Sequence, residues 1–344
     1  MKGEFGRILV TGGAGFIGSN FIRHFMRAHP ESEVVSLDKL TYAGNKANLA
    51  DLKGNGNYTF IKGDICSAKG AARAMKGCDA VVNFAAESHV DRAINDAGAF
   101  ISTNVFGVRV LLEAARAEGT GRFLQVSTDE VYGSIAQGSS KEGDALNPRN
   151  PYSASKAAAD LLVNSYRETY GMDTIITRSS NNFGPCQFPE KVIPLFITNL
   201  MRGKKVPLYG DGMNVREWLY VEDNCAGIDI ALQKGAAGGI YNIGGGEGMK
   251  NIELTRALLR ELGKGEEMID YVKDRLGHDR RYSIDGAKIR ALGWRPAGNF
   301  SENLRRTVAW YAGNEKWWKP LLARGGAEPA ASAGGKKAQR GRRK

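Results

Sequence analysis

Tyr152 and Lys156 stand four residues apart in Tyr152-Ser153-Ala154-Ser155-Lys156, so a helix places them on one face. An ammonium beside a phenol lowers the phenol's pKa and lets it act as a base near neutrality. The spacing alone recurs often by chance, and its weight comes from what precedes it. Ser127-Thr128-Asp129-Glu130-Val131-Tyr132-Gly133 supplies a hydroxyl and two consecutive acids. On a surface loop such a pair is simply solvated charge. Beside a phenol–ammonium pair in a partly dry crevice, two carboxyl groups are pushed to different pKa values, one protonated to donate and one ionised to abstract. Thr128 is then placed to hydrogen-bond the same substrate hydroxyl as Tyr152.

A second constellation lies near the N-terminus. Val10-Thr11-Gly12-Gly13-Ala14-Gly15-Phe16-Ile17-Gly18 has glycines at 12, 15 and 18. Glycine permits a tight strand-to-helix turn and lets backbone N–H groups approach a pyrophosphate at the positive end of a helix. Asp38 follows Gly18 by 20 residues, at the end of the next apolar run. A carboxylate there accepts hydrogen bonds from a ribose 2′-hydroxyl and repels a 2′-phosphate, which favours NAD over NADP. Asp64 and Ile65 are placed to reach the adenine, and Phe84, Ala85 and Ala86 to line the cofactor.

These residues must sit on a scaffold, and the pattern of apolar runs supplies one. Arg7–Val10, Glu33–Asp38, Tyr58–Asp64, Asp79–Phe84, Arg122–Ser127 and Thr174–Ser179 read as strands buried on both faces. Ser19–Ala28, Phe100–Glu118 and Ser155–Tyr170 read as helices between them, the last stopped by Gly171. The alternation predicts an α/β chain, a Rossmann-like doubly wound parallel sheet with a smaller C-terminal α/β substrate lobe. The expected boundaries are 1–183 for the nucleotide-binding domain, 184–322 for most of the substrate lobe and 323–344 for a disordered basic tail. Trp218–Val221 and Gly239–Ile243 still read as buried strands, so strands in about 215–245 are expected to return to the first domain.

Composition narrows the class. With 344 residues, 42% hydrophobic and 25% charged, the chain suits a globular protein with a core needing no disulfides. Cys66, Cys78, Cys186 and Cys225 are scattered, which excludes a disulfide scaffold and a thiolate zinc site and fits a reducing cytoplasm. No His/Asp/Glu cluster has metal spacing, so no metal is expected. No apolar run reaches the roughly 20 residues of a membrane span, and polar Met1–Arg7 argues against a signal peptide. The net charge of +11 is weighted to the end of the chain, where Lys336, Lys337, Arg340, Arg342, Arg343 and Lys344 oppose only Glu328. Gly, Ala and Ser between them predict a solvated tail, with weak nucleic-acid contact as the alternative.

TGGAGFIGSN, DKLTYAGN, FAAESHVDRAI, VSTDEVYG, YSASK, NNFGPCQFPEKVIPLF, REWLYVEDN, YNIGGG and GHDRRYSID follow one another across about residues 7–290. In that order they resemble the dTDP-glucose 4,6-dehydratases, extended short-chain dehydrogenase/reductases. Leu276 stands where the family has a proline. The Thr-Asp-Glu triplet and GHDRRY are its most specific marks; related nucleotide-sugar epimerases lack the acid pair, which makes an epimerase acting on a UDP-, CDP- or GDP-sugar the alternative. A non-catalytic dinucleotide-binding protein with an RNA-binding tail is a distant third.

The resemblance implies the following roles. Tyr152, with Lys156, takes the proton from the glucose 4-hydroxyl, Glu130 abstracts the C5 proton, and Asp129 protonates the departing 6-hydroxyl. The cofactor, NAD, is held by Gly12, Gly15, Phe16, Ile17, Gly18, Asp38, Lys39, Leu40, Thr41, Asp64, Ile65, Phe84, Ala85, Ala86, Ser88, Thr103, Tyr152, Lys156 and Asn182. Ser88, Thr128 and Asn181 touch the sugar, and Arg216, Lys191 and His278 meet the diphosphate. Asn251 and the loop from Asp274 border the nucleotide, and Val192, Pro207 and Tyr209 complete the substrate contacts. His89 and Asp91 are expected to brace the crevice. A homodimer is expected from a four-helix bundle of Phe100–Glu118 and Ser155–Tyr170, with Val105, Val108, Leu112, Ala157, Leu161 and Tyr166 as bundle positions.

Overall fold

Runs of Ile, Leu, Val and Phe with no polar face cannot be left half in water, and here they become strands covered by helices on both sides. The structure, a computed structural model, describes residues 5–246 and 248–325. Of the tail expected at 323–344, residues 323–325 instead end a helix, and the rest lies outside the described residues. The first half runs β1 (Arg7–Thr11), α1 (Phe16–Ala28), β2 (Glu33–Asp38), β3 (Tyr58–Lys62), α2 (Ala68–Met75), β4 (Ala80–Asn83), α3 (Val90–Asn95), α4 (Ala97–Ile101), α5 (Val108–Glu118), β5 (Arg122–Thr128), α6 (Pro151–Tyr170) and β6 (Thr174–Ser179). After β6 the elements shorten. They are β7 (Asn181–Phe183), α7 (Val192–Met201), β8 (Val206–Tyr209), β9 (Val215–Tyr220), α8 (Val221–Lys234), β10 (Gly239–Ile243), β11 (Gly248–Lys250), α9 (Asn251–Glu261), β12 (Ile269–Val272), α10 (Ala287–Ala291), α11 (Phe300–Gly313) and α12 (Glu315–Gly325).

Seven strands form one parallel sheet in the order β10-β6-β5-β4-β1-β2-β3. One face packs on α1 and α8 through Phe21, Phe25, Ile228 and Leu232. The other packs on α2, α5 and α6 through Met75, Leu111 and Val163. Chain order reverses between β1 and β4, and in such sheets the crevice outside the strand C-termini at that point receives the ligand. A separate core of Phe183, Trp218, Leu258, Tyr311 and Trp318 holds the smaller lobe, with a three-stranded sheet β11-β9-β7 and a pair β12-β8.

Four sequence expectations need correction. Of the two strands expected to return to the large sheet, only Gly239–Ile243 does, beside β6. The other spans Val215–Tyr220 and pairs with β7 and β11, because the chain leaves the large sheet at Ser180 and β7 offers it a new edge. The helix expected from Ser155 starts at Pro151: Asn150 accepts from the Ser153 amide, and the Ser153 hydroxyl receives the Asn150 amide, a closed capping box. Tyr152 therefore sits in the first helical turn.

Phe100–Glu118 is not one regular helix. Ser102–Gly107 winds wider, with π-type bonds, and turns Asn104 inward to Glu87 and Ser155. Ala97–Glu118, 22 residues, is also long and apolar enough to cross a bilayer by length and composition, contrary to expectation. Its apolar character has another cause: Val108, Leu111 and Leu112 are buried against the sheet.

Candidate active site

The cofactor crevice starts at the β1–α1 turn. Gly12 has φ +67°, and a Cβ there would lie 2.6 Å from the Ala85 nitrogen, so strand β4 can run past only a glycine. Gly15 caps α1 without a side-chain bond, leaving the helix's first amides to an anion. Asp38 is nearly buried; its two oxygens accept from the Ala14 amide at 2.9 Å and the Leu40 amide at 2.7 Å. Burial pushes its carboxyl up while the two amides pull it down. Lys39 pairs with Asp64 at 2.7 Å.

The acid–base group gathers at the C-terminus of β5. Thr128 is the strand's last residue, and its hydroxyl accepts from the Glu130 amide at 3.2 Å, starting the single turn Asp129–Tyr132. Gly133 closes the turn at φ +75°, where a Cβ would strike the Asn147 carbonyl at 2.3 Å. Glu130 is held by the Asn150 side-chain amide at 3.2 Å. Asp129 is only 3% exposed, and its Oδ2 has no protein hydrogen-bond partner. Burial, reinforced by the charges of Glu130 and Glu217, pushes its carboxyl well above the usual carboxylate range, which favours its protonated form.

Lys156 donates to the Val126 carbonyl at 2.6 Å, and burial lowers its pKa to about 8. The phenol of Tyr152 does not behave as the spacing suggested. Burial and the Glu130 charge push it up, and a hydrogen bond with Thr128 opposes them. The expected depression by Lys156 is not seen: its ammonium is engaged by the Val126 carbonyl, and the loss of water around the phenol dominates.

One cleft brings most of the expected residues together. Every expected cofactor residue except Leu40 lines it, together with Thr128, Asp129, Glu130, Asn181 and Lys191. Leu40 lines an adjoining cavity with Thr41 and Tyr42. Val192, Pro207, Tyr209, Arg216, Asn251, Asp274 and His278 are not among the cleft's lining residues. Arg216 instead donates to the carbonyls of Val215 and Asp279 and stacks 4.2 Å from the Tyr282 ring. His278 binds Asp274 at 2.6 Å, and burial depresses its pKa to about 4. His89 is held down to about 3 by burial and by Lys191, Arg92 and Arg275, so its imidazole is neutral. Tyr42, Glu87, Gln187, Phe188 and Glu190 also line the cleft and were not singled out beforehand. Their only signal lay in the stretches TYAGN, AAES and QFPEK, where residue type says nothing about direction.

The cleft has the features of a dinucleotide site: the glycine turn excludes a Cβ, and the buried Oδ1 atoms of Asn181 and Asn182 lack protein partners. A family model described as GDP-mannose 4,6 dehydratase matches residues 9–307. The chain is 53% identical to Haloferax volcanii low-salt glycan biosynthesis protein Agl12, over 90% of this chain and 99% of that one. It is 51% identical to Streptomyces antibioticus dTDP-glucose 4,6-dehydratase, over 95% and 99%. The structure of DesIV, the dTDP-glucose 4,6-dehydratase of Streptomyces venezuelae with NAD and TYD bound, superposes with a TM-score of 0.90 at 54% identity, covering 92% of this chain and 99% of that one. With relatives about half identical to it and alike over nearly their whole length, the chain belongs to the dTDP-glucose 4,6-dehydratase family.

Proposed function

We propose that this chain is an NAD-dependent hydro-lyase that converts dTDP-glucose to dTDP-4-keto-6-deoxyglucose and water. The observation that carries the reading is the acid pair at the end of β5: Asp129 buried, with its carboxyl pushed well up, and Glu130 adjacent and oriented by Asn150. NAD, when bound, accepts the C4 hydride and returns it to C6. Gly12, Gly15 and Gly18 admit its pyrophosphate, Asp38 meets the adenosine ribose, and Asp64, Ile65 and Phe84–Ala86 line its length. Tyr152, steadied by Thr128, removes the proton of the 4-hydroxyl, and the Lys156 ammonium offsets the charge that develops on the phenol. The resulting ketone acidifies C5. Glu130 then takes the C5 proton while Asp129 gives its own to the leaving 6-hydroxyl, and water departs. Ser88 and Asn181 touch the sugar; Lys191, Arg216 and His278 are assigned to the diphosphate, and Val192, Pro207, Tyr209, Asn251 and Asp274 to the nucleotide.

The test is incubation with dTDP-, UDP-, CDP- and GDP-glucose, followed by mass spectrometry for loss of water. Dehydration of the dTDP sugar supports the reading; epimerised sugar with no mass change overturns it.

Asp38→Ala should narrow the preference for NAD over NADP by about 1–3 kcal/mol, the cost of stranding a hydrogen-bonding partner. Titration of both cofactors checks this, and unchanged affinities reject the ribose contact.

A homodimer is part of the proposal, through α6 and the segment leading into α5, with altered bundle positions. Val108, Leu112, Ala157 and Tyr166 are buried within the chain, facing their own sheet and neighbours, and do not face outward. The outward apolar residues are Ile101, Phe106, Leu161 and Tyr170, the most exposed being Leu161 at 61%. They suit an isologous face that a second copy covers. Leu161→Glu should convert the dimer to monomers in light scattering; a monomeric wild-type protein at micromolar concentration rejects this face.

A further inference from the structure

Three residues from three separate segments meet at the mouth of the cleft. The Tyr42 hydroxyl donates to Glu190 Oε1 at 2.8 Å across 148 residues of sequence. Arg92 donates to Glu190 Oε2 at 3.2 Å, and its guanidinium lies 3.7 Å from the centre of the Tyr42 ring. The other edge of that ring meets Phe188, with ring centres 5.4 Å apart. Tyr42 belongs to the loop after β2, which also carries Asp38, Lys39 and Thr41. Glu190 precedes α7 and neighbours Lys191, whose ammonium donates to the Ser88 carbonyl at 2.8 Å. Arg92 lies on α3, just after the β4 loop that lines the cleft. Tyr42, Glu190 and Phe188 all face the cleft.

We propose that Tyr42, Arg92 and Glu190 form a clasp that ties the ribose-side loop to the substrate-side segment and keeps the dinucleotide on the protein between the two hydride transfers. The inference rests on the dehydratase reading, because only an internal redox cycle requires the reduced cofactor to stay bound. In an ordinary dehydrogenase such a tie would hinder turnover. The arrangement suits the task. Glu190 accepts from two donors on different segments, and a carboxylate with both oxygens engaged by charged or phenolic donors makes strong bonds. The guanidinium stacked on Tyr42 adds a cation–π contact that holds the ring in line with its acceptor. Burial and the Glu190 charge push the Tyr42 phenol up, so it stays a donor. They come from separate segments of the chain and so act by position.

The test uses the full chain loaded with NAD, as wild type and as Tyr42→Phe, Glu190→Gln and Tyr42→Phe/Glu190→Gln. Free cofactor is removed by ultrafiltration, and the NAD remaining is followed in time. Each single variant should lose cofactor at least about tenfold faster than wild type. The double variant should be little worse than either single one, because both break the same bond. With dTDP-glucose present, the variants' filtrate should gain NADH as sugar is consumed, and added NAD should restore consumption; the wild-type filtrate should gain none. Tyr42→Phe keeps the ring under Arg92, so a loss confined to Glu190→Gln, or turnover lost while cofactor is retained, overturns the clasp. Unchanged retention in both single variants does so too. Should the wild type fail to dehydrate dTDP-glucose, the dehydratase reading falls, while the retention measurement still decides whether the clasp holds the cofactor.

Discussion

Tyr152→Phe should lower turnover of dTDP-glucose by about 10²–10⁴-fold and leave no reduced nicotinamide after mixing, because the missing proton acceptor blocks the first hydride transfer. The ring itself is kept: Tyr152 packs edge-on to Phe100, with centres 6.3 Å apart, and phenylalanine preserves that contact. What disappears is the hydroxyl and its bond with Thr128. Stability should change little, since the phenol is costly to ionise where it stands and Thr128 keeps its bond from the Glu130 amide. Stopped-flow absorbance with a melting curve on the same preparation separates loss of chemistry from loss of fold. Formation of reduced cofactor at the wild-type rate would remove Tyr152 from its assigned role.

The second large effect concerns the acid pair, and its two members should fail differently from Tyr152. Glu130→Gln should leave C4 oxidation intact and slow elimination by about 10²–10⁴-fold, so that reduced nicotinamide builds up on the enzyme. Asp129→Asn should also stall after oxidation, because the amide has no acid proton to give the leaving hydroxyl. The pH dependence gives a further check. Asp129 works in its protonated form, and its raised pKa extends that form upward from the carboxylate range. In the wild type, elimination should therefore fall as pH rises through that shifted value, and the Asn variant should lack this limb. The sign for stability is opposite to that of a salt-bridged acid. Because the folded carboxyl binds its proton more tightly than the unfolded one, ionisation above about pH 3.9 works against folding. Asp129→Asn removes that penalty and should melt no lower than wild type at neutral pH. A variant that dehydrates normally, or one that melts far below wild type, contradicts the assignment.

Much of this protein could be read from local sequence. The strands β1, β2, β4, β5 and β6 stand out because a strand covered on both faces needs mostly apolar residues, whatever its neighbours; β3, expected to be buried on both faces, lies at the sheet edge and has no buried residue. The glycine turn and Asp38 are legible for a similar reason, since backbone sterics and a fixed strand length set their spacing. Thr128, Asp129 and Glu130 follow a strand end, and Tyr152 and Lys156 share a helix face; both are consequences of backbone geometry a few residues long. What depends on distant charge or on a packing partner was decided by the tertiary structure. The upward shift of Asp129 is one such feature: it comes from burial, from Glu130 and from Glu217, 88 residues away in the chain. The direction of the Tyr152 shift is another, because desolvation is a property of the closed cleft and not of the Tyr–Lys spacing. Val108 and Leu161 are equally apolar in sequence, yet one is buried at 1% exposure and the other stands out at 61%. Strand β9 joined a small sheet because β7 offered it an edge. Glu190 and Tyr42 met because two loops and α3 converge there, and no local pattern encodes a contact between segments that only the completed sheet brings side by side.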